Sequence, residues 1–184
     1  MQPLERGRCA EDQRFGAREK LFRRIPRRSV GPRNEIDPSS IQCSFGKTVD
    51  SAPSVLRSRY ATAADVLHPL CAGDGDVSEW VVFYLKVKQL PTGIPDGENR
   101  PHDFYPHHAP LETCYAHAVV ACRRGDEGDG GYRQPSRPVK NSFRAKFAAA
   151  LKPAFVFPWP ISLIFEVKKQ WARQKHLRRL NTAS

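Results

Sequence analysis

The stretch Trp80 to Leu90, WVVFYLKVKQL, decides how the rest of the chain is read. Val81, Phe83, Leu85 and Val87 fall on one side of an extended strand. Trp80, Val82, Tyr84, Lys86 and Lys88 fall on the other, which is apolar at its start and charged at its end. The period of two and the β-branched and aromatic residue types suit a half-buried pleated surface. One strand is not stable by itself, so partners must come from elsewhere, with Ile41 to Val49 the nearest candidate.

The flanks punctuate this strand. Ala72 to Glu79 is a Gly/Asp loop leading in, and Pro91 closes the far end. Pro95, Asp96 and Gly97 read as a turn, and Pro101 and Pro106 predict an irregular stretch beyond it. Residues 51–68 carry helix signals: Ser51 as a cap, Pro53 in a first turn, and Leu56, Tyr60, Ala63 and Leu67 as a stripe. Leu111 to Arg124 carries a second set, with Pro110 and Glu112 at the start, Arg123 and Arg124 at the end, and Leu111, Tyr115, Ala118 and Cys122 between. Cys114 to Cys122 also alternates as a strand would, but the end signals favour a helix.

These elements predict an α+β fold, a small central domain over residues 41–125 with a short sheet packed on two helices. Basic, partly disordered arms flank it. Residues 1–40 form the N-terminal arm, with a short helix over Gln13 to Arg24 and a basic cluster at Arg23, Arg24, Arg27 and Arg28. Residues 126–141 read as a Gly- and Pro-rich linker. Residues 142–184 form a basic, aromatic helical region, with one helix from Ser142 to Leu151 and another from Ile161.

Charge follows this division. The chain of 184 residues has a net charge of +11. Residues 1–33 hold ten Lys/Arg and four Asp/Glu, residues 34–140 eleven and fourteen, and residues 141–184 nine and one, so +6, −3 and +8 give the total. An acidic middle between basic ends predicts an anionic partner met by the ends: nucleic acid, an acidic protein or an anionic membrane surface. Arg outnumbers Lys two to one and methionine occurs only at Met1, a pattern that a GC-rich reading frame under little selection also produces. Five cysteines, an odd number, and a start without an apolar signal segment predict reduced thiols in an intracellular compartment.

The C-terminal region carries the leading functional expectation. Seven aromatics and nine basic residues share residues 141–184 with the single acid Glu166. Lys168, Lys169, Arg173, Lys175, Arg178 and Arg179 supply cations for phosphates, and Trp171 a face on which an unpaired base can stack. The expected function is non-enzymatic binding of an anionic partner, with RNA or a ribonucleoprotein favoured. A peripheral membrane protein using the same amphipathic helix is the first alternative. The 13-residue uncharged run Pro153 to Phe165, broken by Pro158 and Pro160, is too short to span a bilayer.

The second alternative is a zinc- or thiol-dependent protein. His107, Cys114, His117 and Cys122 are zinc-type ligands within a short stretch, with Cys114 and His117 sharing a face if that stretch is helical. The spacing contains no paired CxxC, so buried cysteines and solvated histidines are the competing reading. No nucleophile elbow occurs. Gly46-Lys47-Thr48 lacks the Gly five residues earlier that a phosphate-binding loop needs, because Ile41 stands there.

Overall fold

The structure is a computed structural model that describes residues 13–42, 44–67, 77–111, 114–127 and 131–154. Seven strands form one curled, half-barrel sheet: β1 (Lys20–Pro26), β2 (Ser54–Arg57), β3 (Trp80–Lys86), β4 (Ile94–Pro95), β5 (Pro101–His108), β6 (His117–Arg124) and β7 (Lys152–Pro153). Their order across the sheet is β4-β5-β6-β2-β1-β3-β7, and every pairing is antiparallel. One α-helix among the described residues, α1 (Arg137–Ala150), packs into the concave side.

The expected sheet on two helices is therefore overturned. Residues 51–68 supply β2 and, farther on, a 3-10 turn at Ala64–Leu67. The stripe residues still meet: Leu56 is buried in a cluster on the convex side, and Tyr60, Ala63 and Leu67 pack against it. They reach it through a strand and two turns, not along a helix. Leu111 to Arg124 supplies β6, whose first six residues are all buried. A strand buried on both faces shows no polar alternation, and this is why its period was masked by helix-type end residues.

The arms are also revised. The expected helix at Gln13 to Arg24 is absent, and Lys20–Pro26 instead lies between β2 and β3 as β1. The sheet draws its strands from residue 20 through residue 153, across the boundaries placed at 40, 125 and 141. Ile41 to Val49 adds no strand, but Ile41 and Phe45 are core residues. The helix expected from Ser142 begins earlier, after Ser136, with Pro138 in the first turn, where its missing N–H costs nothing.

β3 matches its reading most closely. Phe83 and Leu85 are fully buried on the concave side beside Leu21 and Ile25 of β1. From α1, Val139, Phe143 and Phe147 recur every four residues and complete that core. Phe143 stacks on Phe104 of β5 at 4.2 Å between ring centroids and meets Phe45 edge-on at 5.5 Å. Such ring pairs add about 0.5–1.5 kcal/mol beyond the area they bury.

Pro101 and Pro106 do not break the chain, because β5 runs along the edge of the sheet for most of its length. Pro106 has no N–H to leave unpaired there. The neighbouring outward amides are covered: Phe104 N–H donates to Pro91 O at 2.9 Å, and His108 N–H to the Gln13 side chain at 3.1 Å. The β4–β5 hairpin turns on Asp96 and Asn99, the latter at φ 61°, a left-handed conformation that asparagine tolerates.

One buried ion pair fixes the end of the half-barrel. Arg57, the last residue of β2, is fully buried, and its Nε donates to Glu19 Oε1 at 2.8 Å. Its Nη2 donates to Glu19 Oε2 at 3.2 Å and to Arg14 O at 2.9 Å. The guanidinium lies over Phe15 at 3.7 Å from the ring centroid. Removing one partner of a buried pair strands the other charge, so Arg57→Ala should lower the free energy of unfolding by about 3–5 kcal/mol. Arg57→Met combined with Glu19→Leu should recover most of that loss, read by urea denaturation of both proteins. A single-variant loss under about 1 kcal/mol would show that the pair is solvated and not structural.

Candidate nucleic-acid interface

On the convex side, the β1–β3 ladder places basic and aromatic residues in one block. The register pairs Lys20 with Lys86, Phe22 with Tyr84, Arg24 with Val82 and Pro26 with Trp80. Directly opposed residues share a face, so Lys20, Phe22, Arg24, Trp80, Tyr84 and Lys86 all lie on the convex side. Phe22 and Val82 are buried in the convex cluster, while Trp80, Tyr84 and Lys86 are half-buried and Lys20 is exposed.

The cations lie on the rings. Lys20 Nζ is 4.7 Å from the Tyr84 ring centroid, and the Arg24 guanidinium carbon is 4.3 Å from that of Trp80. Both contacts run diagonally across the ladder, the spacing that long side chains bridge. Partial burial lowers the Arg24 pKa, since desolvation disfavours the charged form. Lys20 directly opposite Lys86 is a like-charge pair, which weakens a sheet unless an anion lies between. Past Pro26 the chain turns through Arg27–Ser29, where Arg27 and Arg28 are exposed and Arg27 Nε donates to Ser78 O at 2.9 Å.

The arginine run of the N-terminal segment thus divides by the pleat. Arg24 faces the convex block. Arg23 faces the other way and is structural, its Nη1 donating to Ser54 O and its Nη2 to Gln42 O, each at 2.8 Å. At the far side of β3, β7 pairs Lys152 with Tyr84, and Ala154 packs against the convex cluster. Residues 155–184 follow directly. Lys168, Lys169, Trp171, Arg173, Lys175, Arg178 and Arg179 lie outside the described residues. The chain that leads to them runs past Val82 of β3, where Ala154 N–H donates to Val82 O at 2.8 Å.

No family model, curated protein or solved structure matches this chain.

The four zinc-type residues are divided between the two sides of the sheet. His107, opposite Val119, and His117 lie on one face of the β5–β6 pair, and Cys122, opposite Phe104, lies on the other. Cys114 sits in the turn before β6, buried in the convex cluster, whereas Cys122 belongs to the concave core. His117 Nδ1 lies 2.6 Å from Ala109 O. Among the described residues no group of three or more His, Cys, Asp or Glu is placed to hold a metal ion.

A different series forms instead, which no spacing rule suggested. Asp96 Oδ2 is 3.3 Å from His102 Nε2, and His102 Nδ1 is 3.8 Å from Cys122 Sγ. The order resembles an activated thiol, but the thiol is poorly placed to be one. Cys122 is fully buried, and desolvation, with Asp103 nearby, pushes its pKa up to about 12. Asp96 is held well below the usual carboxylate range, first by the Arg100 backbone N–H and then by the Arg100 side chain, the Glu98 N–H and His102. The raised thiol pKa has a direct consequence. At pH 8 the folded protein should show negligible alkylation of Cys122 by iodoacetamide, by site-resolved mass spectrometry. Only as pH approaches 12, or in denaturant, should the thiolate form and react. Rapid labelling of Cys122 at pH 8 in the folded protein would contradict its burial.

Proposed function

We propose that this protein is a non-enzymatic binding protein for an anionic partner, with single-stranded RNA or a ribonucleoprotein favoured. The observation that supports this reading is the convex block, where Lys20 and Arg24 lie over Tyr84 and Trp80 on one sheet face. Stacking on a half-exposed ring is tolerant of base identity, and neighbouring cations meet the phosphates between successive bases. The 30 Lys/Arg against 19 Asp/Glu supply long-range attraction, and residues 155–184 extend the contact with six further cations and one acid. A peripheral membrane role and a zinc- or thiol-dependent role remain the alternatives, and no arrangement among the described residues favours either over the first. Among the described residues no helix is long and apolar enough to cross a membrane.

The fold sets how this is tested. Phe143, Phe147 and Leu151 are core residues, so a truncation that removes the tail must begin after Ala154. A chain ending at Ala154 should bind a single-stranded oligoribonucleotide more weakly but with detectable affinity. For the full chain, Lys20→Gln with Lys86→Gln should reduce the slope of log K against log salt by about 1.4, two phosphates at about 0.7 each. Trp80→Ala should weaken binding by about 1–3 kcal/mol with little change of slope, because stacking releases no counterions. Fluorescence anisotropy over a salt series reads all three. Binding that is indifferent to salt and to the lysine pair would overturn the proposal. Recovery on anionic but not neutral vesicles, with no RNA binding, would turn it to the membrane reading.

A further inference from the structure

At the opposite side of the sheet from the convex block, the β4–β5 turn, β5, β6 and the segment leading into α1 border an open pocket of about 260 Å³. Asp96, Arg100, His102, Arg124, Arg133, Gln134 and Ser136 line it. Three arginines against one aspartate leave the lining cationic. Asp96 is already committed, accepting from Glu98 N–H and Arg100 N–H at 2.9 Å each, and from Arg100 Nε at 2.9 Å. His102, only 6% exposed, sits at its side. Two acids that pair with the arginines from outside are surface groups. Glu98, which meets Arg100 Nη1 at 2.6 Å, is 70% exposed, and Asp126, which meets Arg124 Nη2 at 2.7 Å, is 41% exposed. Exposed pairs of this kind contribute about 0–1 kcal/mol, so a more highly charged oxyanion can displace the carboxylates.

The helix adds a second, separate feature. α1 spans 14 residues and starts at this pocket, with no acid in its first turn and Arg137 as its first residue. A cation at the positive end of a helix dipole is unfavourable unless an anion is near. The Ser136 side chain makes no capping hydrogen bond to the helix.

We propose that this pocket is a binding site for a tetrahedral oxyanion, specifically the phosphate of a phosphomonoester. The Arg124 guanidinium exchanges Asp126 for two phosphate oxygens in the same forked geometry. Arg133, Gln134 and Ser136 donate from the α1 side, and Arg100 supplies charge while it continues to hold the hairpin. The site is separate from the convex block and stands whether or not RNA binds there. A phosphorylated nucleic-acid end and a free small phosphomonoester share this chemistry, and the experiment separates them.

Phosphate binding is measured by isothermal titration and by NMR shift mapping on the full chain, at fixed ionic strength held by chloride. Inorganic phosphate should bind with millimolar affinity and shift the amides of residues 96–102 and 131–140. Arg124→Gln with Arg133→Gln should weaken it at least tenfold, while Lys20→Gln with Lys86→Gln leaves it unchanged. A 5′-phosphorylated oligonucleotide binding more tightly than its 5′-hydroxyl counterpart, only with both arginines present, would assign the end of a nucleic acid. Equal binding of the two, with phosphate still bound, would assign a small phosphomonoester. Absence of phosphate-specific shifts at fixed ionic strength, or phosphate binding equal in the arginine variant, would overturn the proposal. An unaltered NMR spectrum away from the pocket establishes that the variant is folded, so loss of binding cannot be misread as unfolding.

Discussion

The buried guanidinium of Arg57 is the constraint on which the rest of the structure depends. An arginine that is fully shielded from water must find partners for its fork, and it finds them in Glu19, in the carbonyl of Arg14 and over the ring of Phe15. All three belong to the short segment before β1. Satisfying one side chain of β2 therefore folds residues 14–19 back across the end of the sheet. It also sets β1 beside β2, with Leu21 opposite Arg57 and Ser58 N–H donating to Lys20 O at 2.9 Å. Once β1 is held there, β3 can pair along its whole length, and the convex block of cations and rings follows from that register.

The pleat then distributes the charge. Neighbouring arginines receive opposite roles: Arg23 clasps carbonyls of Ser54 and Gln42, and Arg24 lies over Trp80 on the convex side. The edges of the sheet are partly covered. β5 presents Pro106 outward and has its other amides taken, and β7 shields part of β3.

The sequence showed β3 because its two faces differ: Phe83 and Leu85 are buried, and Tyr84 and Lys86 are not. It concealed β6 because both faces of His117 to Cys122 are buried, and an unbroken apolar run has no readable period. β2 was hidden because Leu56, Tyr60, Ala63 and Leu67 are spaced as a helix would space them yet meet through turns. β1 was hidden by arginine, because one arginine tied to backbone carbonyls and one convex arginine look like a solvated run when written side by side. The convex block was partly legible in the alternation of Lys20, Phe22 and Arg24 against Trp80, Tyr84 and Lys86, but only a known register brings those two triplets together. The Asp96, His102 and Cys122 series was not legible, since a hairpin and a strand pairing assemble it.

A basic chain is common and binds nothing in particular by charge alone. What distinguishes this one is the placement of cations over half-exposed rings on the β1–β3 ladder, with β7 next to β3 immediately before residues 155–184 in the chain. Photocrosslinking of a 4-thiouridine-substituted single-stranded RNA to the full chain, mapped by mass spectrometry, tests that placement most directly. The proposed function predicts adducts at Trp80 and Tyr84 and in residues 155–184, lost when Lys20 and Lys86 are changed to Gln. Adducts confined to β5 and β6, or none at any RNA concentration that saturates binding, would contradict it.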